Sequence, residues 1–510
     1  MTQRKFYWIA GLAVALLWCV AQVLIVHFNV KFPGPDVYQF KAPALELATR
    51  GTLTGINLPN APIGVRTVYA FYPPVFPVVL GGWFKVFGVS YGSSLVFDSL
   101  WRLTRSVIIL LWVVWLLGPY SLASRPFRAL WIIAFLFLVS FFPNNEDRPD
   151  EMALCLILSS LLVTATRPWR RWWIVSGLLL GFAAGTSPTA GLFGALAQTL
   201  WLARGEWRSL VKIGAISFVV VVGVCIPVVV SDPLVIERFL KGAHYNVLPH
   251  SNRSSFARDG YVGMQSFLHH LSMAFKMGRP MYLCLFSSLF AAGAGLVPSI
   301  SRQTELLIAA VVFTVFSLIV FPIEPLYLWF SCALLWIVVL PKWWLTNSRW
   351  QLMASVVFLF CGVSLMAVRE LKLMSDGLTR APEQTLQGVQ EYLKGRMKEG
   401  QRLAITSDGF FTAPLGFSDN LDFVCAMVFK NYDFAFVTEP ITLQRVGSRG
   451  VPAQISSLCF WTPRCFELVE DRRPIQQARI LGVTTPFYVR GYGGLLYRNV
   501  CRITGVIPPY

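Results

Sequence analysis

Long apolar runs separated by short polar segments dominate the chain up to about residue 370. A membrane-spanning helix needs about 20 mostly apolar residues. Eleven runs reach or approach this length, at 6–28, 104–120, 127–142, 150–166, 172–186, 188–203, 212–231, 281–300, 304–321, 325–341 and 351–368. The pattern therefore predicts an α-helical polytopic membrane protein with about eleven transmembrane helices, the first of them uncleaved.

The stretch 72–89, YPPVFPVVLGGWFKVFGV, is apolar but is interrupted by three prolines and two adjacent glycines. Such residues oppose a long regular helix. We interpret 72–89 as an interfacial or re-entrant segment that does not cross the bilayer.

The basic residues of the loops lie mainly on one side of the predicted membrane. If the N-terminus is cytoplasmic, the inner loops contain Arg125, Arg128, Arg167, Arg170, Arg171, Arg204, Arg208, Lys212, Arg302, Lys342 and Arg349. The short opposite loops at 143–149, near 187 and at 322–324 are poor in Lys and Arg, as the positive-inside rule requires. This orientation places the loops 29–103, 143–149 and 232–280, and the tail after Arg369, on the outer face.

The tail lacks the long apolar runs of the preceding chain and shows a mixture of predicted helix and strands. A helical stretch at Glu383–Lys398 precedes RLAIT, and YDFAFVT and FYVRGYGGLLYRNV follow as further strand candidates. We predict a small extracytoplasmic α/β domain at 370–510, after a transmembrane domain at 1–369. Cys459 and Cys465 are a candidate disulfide pair if the tail is exported.

Composition supports the membrane interpretation. The chain is 55% hydrophobic and 14% charged, with a mean hydropathy of +0.57. Its net charge of +18 is explained by the inner loops, so we do not expect nucleic-acid binding. The absence of a GxxxxGK[ST] sequence argues against ATP-driven transport by this chain alone, and GxSxG, HExxH and CxxC are absent as well.

Two outer loops contain candidate catalytic acids. In FPGPDVYQF, Asp36 either caps the amphipathic helix that follows or acts as a catalytic acid. In FFPNNEDRPDEMALCL, four acids surround Arg148 at the start of an apolar helix: Glu146, Asp147, Asp150 and Glu151. The helix dipole accounts for Asp150 and Glu151 individually, but acids grouped at the membrane edge are often functional.

Cations near the outer face are candidate phosphate ligands. Lys85, Arg102 and Arg105 depart from the positive-inside pattern, and they either hold a lipid phosphate or extend to headgroups. The loop 232–280 contains four of the five histidines. Three interpretations of this loop stay open: a metal site, a basic lining that binds an anionic headgroup, or a solvated loop without a binding role.

Taken together, these features resemble the GT-C glycosyltransferases over about residues 1–230. The early Asp36, the segment YPPVFPVVLGGWFKVFG, Arg102 and the acidic RPDEMALCL match that family's order of motifs. The protein O-mannosyltransferase and lipid A aminoarabinose or galacturonic acid transferase branches are the most similar. Tyr72 stands where many members have a lysine, and Pro35 and Val37 flank Asp36 where many have a second acid.

The resemblance implies an inverting glycosyltransferase that uses a polyprenyl-phosphate sugar donor and a glycan, lipid or protein acceptor in the bilayer. Asp36 would be the general base, and Asp150, the second catalytic residue, would orient the acceptor, hold Arg148 or help bind a divalent cation. The resemblance implies substrate-binding roles for Arg148, Asp147, Glu151, Arg102, Lys85, Tyr38 and Tyr72. A divalent cation is optional in this superfamily, and we do not commit to one. The expected location is a bacterial inner membrane.

Other functions remain open at this point. A transporter or flippase of lipid-linked glycans would place acids deep in the bundle and would show paired repeats, which we do not find. A ligase or polymerase of lipid-linked glycans would use a large later outer loop such as 232–280. A membrane scaffold would depend on the exported tail.

Overall fold

The computed structural model describes residues 16, 20, 23, 24, 37–56, 66–69, 72–117, 147–202, 205–240, 301–320, 328–345, 353, 357, 364, 375, 377, 380, 382–398, 401, 403–405, 421–423, 433–438, 466–472, 477–480, 483–488 and 493–500. The chain divides into two compact units. The first contains Met1–Gln22, Tyr72–Phe76 and Phe97–Glu370, and the second contains Val23–Phe71, Pro77–Val96 and Leu371–Tyr510.

Helices account for most of the described chain up to Leu345. They are α1 Val37–Phe40, α2 Ala42–Arg50, α3 Val75–Phe87, α4 Tyr91–Leu117, α5 Asp150–Thr166, α6 Trp172–Ala184, α7 Pro188–Leu202, α8 Trp207–Ser231, α9 Ser301–Val320 and α10 Leu328–Leu345. The predicted runs at 150–166, 172–186, 188–203, 212–231, 304–321 and 325–341 correspond to α5–α10. The runs at 6–28, 127–142, 281–300 and 351–368 lie wholly or almost wholly outside the described residues.

Within the described ranges, two helices are long and apolar enough to cross a membrane, at Tyr91–Leu116 and Trp207–Ser231. Shorter apolar helices occupy Val75–Phe87, Trp172–Ala184 and Glu305–Val315. The count of eleven spans stays a prediction.

The segment 72–89 forms the regular helix α3 of 13 residues, despite its proline and glycines. Since an α-helix rises 1.5 Å per residue, α3 is about 20 Å long, whereas the bilayer core is about 30 Å thick. Its length fits the interpretation that 72–89 does not cross the bilayer.

Helix α4 begins at Tyr91 rather than at residue 104, so part of the segment predicted as the outer loop 29–103 is helical. Ser94, Asp98, Ser99, Arg102 and Arg105 are buried on this helix. These polar residues lower the hydropathy of the first half of α4, which explains why the apolar run appeared to begin later.

Helices α6 and α8 of the first unit pack closely through two glycines on α6. A Cβ at Gly181 would lie 2.6 Å from Val220 Cβ and 2.9 Å from the Ser217 carbonyl oxygen, and Gly177 faces the same helix. Ser217 Oγ donates a hydrogen bond of 2.9 Å to the Gly177 carbonyl oxygen. Small residues four positions apart permit such close approach between membrane helices.

A buried hydroxyl–amide cluster connects α5, α6 and α7. Gln198 Nε2 lies 3.0 Å from Ser160 Oγ, 3.0 Å from Thr164 Oγ1 and 3.1 Å from Ser176 Oγ. The Ser160 and Ser176 hydroxyls are themselves 2.9 Å apart. Polar side chains in a membrane bundle stabilise packing when they bond to one another across helices.

The second unit includes the described part of the tail, where α11 (Leu386–Arg396) packs on strands. Before the tail, an antiparallel hairpin pairs β1 Thr54–Ile56 with β2 Arg66–Val68. The strands of the tail are β3 Leu403–Ile405, β4 Leu421–Phe423, β5 Phe434–Thr438, β6 Phe466–Asp471, β7 Gln477–Ile480, β8 Val483–Tyr488 and β9 Gly494–Asn499. A five-stranded sheet has the order β4-β3-β5-β9-β6. Strands β4, β3 and β5 are parallel, and β9 is antiparallel to both β5 and β6.

An aromatic–acid contact joins α11 to the edge strand β6. Tyr392 Oη donates a hydrogen bond of 2.7 Å to Glu470 Oε2, and the Arg472 guanidinium stacks 4.1 Å from the Tyr392 ring centroid. Burial of the phenol, reinforced by the Glu470 carboxylate, raises the pKa of Tyr392 to about 12.

Candidate active site

One face of α4 in the first unit carries a row of buried charged residues. Asp98, Arg102 and Arg105 follow one another at intervals of four and three residues, which places them on the same side of a helix. Arg105 is fully buried and Arg102 is 3% exposed. Cations are rare at such burial unless acids or ligands accompany them.

The acids that accompany these cations lie at the start of α5. Asp150 and Glu151 occupy the first helical turn after Pro149, where negative charge is favoured by the exposed N–H groups of the helix. Asp147, just before the helix, is buried and has a backbone φ of 72°. A left-handed conformation is uncommon for a residue other than glycine, although Asp tolerates it better than most.

Arg148, Asp150 and Ser187 form one group at this helix start. Arg148 Nε donates a hydrogen bond of 2.8 Å to Asp150 Oδ2, and Ser187 Oγ lies 3.4 Å from Asp150 Oδ1. The Arg148 side chain is 10% exposed and that of Asp150 is 4% exposed. The Asp150 carboxylate therefore holds the Arg148 guanidinium in one orientation.

Glu151 connects the same helix start to α4 through a buried ion pair. Arg105 Nη1 is 2.9 Å from Glu151 Oε1 and 3.0 Å from Glu151 Oε2. The Cys155 thiol, one turn further along α5, donates to the Trp101 carbonyl oxygen at 3.1 Å. These contacts fix the start of α5, and hence Asp150, against the half of α4 that carries Arg102.

The turn between α6 and α7 and the start of α3 meet at this end of the first unit. The Val75 amide donates a hydrogen bond of 3.1 Å to the Gly185 carbonyl oxygen. Tyr72, a predicted substrate ligand, is buried just before α3. The predicted loop near residue 187 is thus next to Asp150, because Ser187 contacts that residue.

The remaining predicted site residues belong to other parts of the chain. Asp36 and Glu146 lie outside the described residues, and the Tyr38 side chain is not among those described. Helix α1 begins at Val37, directly after Asp36. Lys85 is exposed in the last turn of α3, in the second unit.

Lys41 is a buried cation of the second unit that the sequence did not single out. It is fully buried between α1 and α2, and its Nζ donates a hydrogen bond of 2.9 Å to Ser94 Oγ and lies 5.6 Å from the Tyr91 ring centroid. This contact joins the first-loop helices to the start of α4.

All five histidines lie outside the described residues. Among the residues that are described, no group of three His, Cys, Asp or Glu side chains is arranged to hold a metal ion. The optional divalent cation and the roles of the loop 232–280 stay predictions.

Comparisons with known proteins converge on one class. The family model for glycosyltransferase family 87 matches residues 70–322, about half of the chain. The crystal structure of ArnT from Cupriavidus metallidurans in the apo state shares 13% sequence identity, with a TM-score of 0.59 over 98% of this chain and 100% of ArnT. ArnT from the same organism bound to undecaprenyl phosphate shares 15% identity, with a TM-score of 0.52 over 83% of this chain and 92% of ArnT. No curated protein sequence matches significantly.

The range matched by the family model includes α4, α5 and the Arg148 group, and the structural similarity to apo ArnT covers nearly the whole chain. The chain is therefore a membrane glycosyltransferase. Its fold is that of the GT-C class, which confirms the predicted resemblance to that class.

Proposed function

We propose that this glycosyltransferase moves a sugar from a polyprenyl-phosphate donor to a glycan, lipid or protein acceptor with inversion at the sugar. The observation that carries the proposal is the Arg148–Asp150–Ser187 group, in which a carboxylate orients a nearly buried guanidinium. A fixed guanidinium suits a phosphate because its N–H donors match two phosphate oxygens. The fold shared with ArnT, a protein solved with undecaprenyl phosphate, supports the same donor class.

Arg148 would stabilise the leaving phosphate. As the acceptor bonds to the anomeric carbon, the bond from that carbon to the phosphate oxygen breaks and negative charge grows on the polyprenyl phosphate. A donor group already oriented by Asp150 meets this charge without reorganising. Arg102, buried on the neighbouring face of α4, is a second candidate for this role.

Asp150 and Glu151 would act mainly as positioning residues. Asp150 holds Arg148, and Glu151 holds Arg105. Both acids therefore act through a cation rather than on the sugar. Of the roles that the sequence left open for Asp150, this geometry favours orientation of Arg148.

Asp36 would be the general base that removes the proton from the acceptor hydroxyl or amine. This role rests on the resemblance of the first outer loop to that of the family. The helix that begins at Val37 leaves the capping role open as well, and one residue can perform both.

Orientation in the membrane follows from the charge distribution. We propose that Asp150, the loops 29–103 and 232–280, and the domain at 370–510 lie on the outer face of a bacterial inner membrane, with a cytoplasmic N-terminus. A lipid-linked donor would then present its sugar and phosphate at the interface where Arg148 lies.

The test uses membranes that contain the full chain and retain the native acceptor. A panel of undecaprenyl-phosphate sugars is supplied, and release of undecaprenyl phosphate is measured. Replacement of a general base costs about 10²–10⁴-fold in rate, so Asp36→Asn should abolish detectable turnover. Asp150→Asn should reduce it less, because Arg148 keeps its charge.

Glu383→Gln provides the control, since Glu383 is an exposed residue of the tail and this change also removes one carboxylate charge while keeping the size of the side chain. Full turnover by a folded Asp36→Asn variant would reduce Asp36 to a helix cap. Absence of turnover by the wild-type chain with every polyprenyl-phosphate sugar would remove the proposed donor class.

A further inference from the structure

The end of the first unit away from Asp150 carries an exposed surface of arginine, lysine and tryptophan. It consists of the connection between α5 and α6 and the beginning of α8. We define this Arg–Trp surface as Arg167, Trp169, Arg170, Arg171, Trp207, Arg208 and Lys212, all exposed. Since α5 has 17 residues, its rise separates this surface from the Asp150 end by about 25 Å along the helix.

Three contacts make the Arg–Trp surface one continuous feature. Arg167 forms an ion pair with Glu206, which joins the α5–α6 connection to the residue before α8. Lys212 Nζ lies 5.1 Å from the Trp173 ring centroid, so α8 meets the first turn of α6 as well. The close packing at Gly177 holds the two helices together beyond this point. The two connections therefore present their charges side by side.

The charge of this surface is almost entirely positive. Between Thr166 and Ile213, the described residues include five cations and a single acid, Glu206. That acid is already paired with Arg167. The remaining cations have no acidic neighbour within this sequence range, so their field favours an anionic partner.

The tryptophans indicate what kind of partner this is. Trp169 is 49% exposed and Trp207 is 61% exposed, large values for side chains of this size. Tryptophan is enriched at the headgroup level of membranes, where its ring meets both apolar chains and polar groups. Cations and tryptophans at the end of an apolar helix bundle together match an anionic lipid headgroup.

We propose that the Arg–Trp surface binds the headgroups of anionic phospholipids in the leaflet opposite to Asp150. This binding is separate from sugar transfer and needs neither donor nor acceptor. Each basic residue near a membrane surface strengthens the association with anionic lipid about fivefold. Loss of two such residues should therefore weaken it about 25-fold.

Native mass spectrometry of the full chain in uncharged detergent tests this binding. The protein is titrated with dioctanoyl phosphatidylglycerol and, separately, with dioctanoyl phosphatidylcholine. We expect the wild type to retain the anionic lipid at lower concentration than the zwitterionic one. The variant Arg170→Gln with Arg171→Gln should lose this preference, with about 25-fold weaker phosphatidylglycerol binding.

The control variant, Lys394→Gln with Lys398→Gln, removes the same charge from exposed positions in the tail. It should bind phosphatidylglycerol as the wild type does. Equal binding of the two lipids by the wild type would overturn the proposal. So would undiminished binding by the arginine variant, or an equal loss in the lysine variant, which would reflect net charge alone. All four substituted side chains are exposed, and retention of fold is checked by monodisperse gel filtration.

Discussion

The buried ion pair between Arg105 and Glu151 offers the sharpest test of how the site is held together. The variant Glu151→Gln keeps the size of the side chain and removes its charge. The Arg105 guanidinium, which is fully buried, would then keep its charge without the carboxylate at 2.9 Å. We expect a large loss of stability from this single change.

The size of the loss follows from the geometry. Two unit charges 2.9 Å apart attract by about 6 kcal/mol at an effective dielectric constant of about 20. Desolvation of both groups offsets most of that attraction in the intact pair, but removal of one partner leaves the other charge buried, at a cost of about 3–5 kcal/mol. The double variant Arg105→Gln with Glu151→Gln removes both charges of the pair, so it should lose no more stability than either single variant.

The assay is a double-mutant cycle on the detergent-solubilised chain, unfolded by increasing the mole fraction of SDS. The expected coupling free energy is about 3 kcal/mol. Its sign means that the double variant loses less stability than the two single variants lose together. The exposed Glu383→Gln variant serves as the control and should change stability by less than about 0.5 kcal/mol. Additive single effects, or a Glu151→Gln variant as stable as the wild type, would refute the pairing as the anchor of α5.

Three further predictions follow from packing, titration and the site. Gly181→Ala places a methyl group against α8 and should destabilise the chain by about 1–3 kcal/mol in the same SDS titration, whereas Gly223→Ala, in open space, should be neutral or stabilising. The pKa of Tyr392 is raised from 10.0 to about 12, so its contribution to stability is full below pH 10 and disappears as pH rises through about 12; Tyr392→Phe should remove that dependence in unfolding measured between these values. Arg148→Gln should lower kcat, measured per folded molecule, about 10²–10³-fold in the release assay, and it should also lower the melting temperature because the Asp150 carboxylate stays buried without its cation. An unchanged alkaline profile for Tyr392→Phe, or unchanged kcat for Arg148→Gln, would contradict the respective argument.

Some helices could be predicted because charged residues or proline mark both of their ends. The run 150–166 coincides with α5, since acids and a proline precede it and Arg167 follows it. The start of α4 could not be predicted in this way, because the buried polar residues on one face of the helix interrupt the apolar run. The spacing of Ser94, Asp98 and Arg102, four residues apart, was nevertheless a helical signal in the sequence.

The site was predictable in composition but not in pairing. The acids of the RPDE sequence are easily recognised because the surrounding chain is mostly apolar. A contact between Arg148 and Asp150 could be expected because the two residues are close in sequence. The partnership of Glu151 with Arg105, and that of Lys41 with Ser94, joins separate helices. Such contacts depend on how helices pack, which hydrophobic periodicity does not specify.

The central claim is that a polyprenyl phosphate donor binds through Arg148 on this GT-C fold. A cryo-electron microscopy structure of the full chain with undecaprenyl phosphate tests it most directly. We expect the lipid phosphate within about 3 Å of the Arg148 guanidinium, the distance of a charge-assisted hydrogen bond. A phosphate bound elsewhere, with Arg148 still turned only toward Asp150, would contradict the claim.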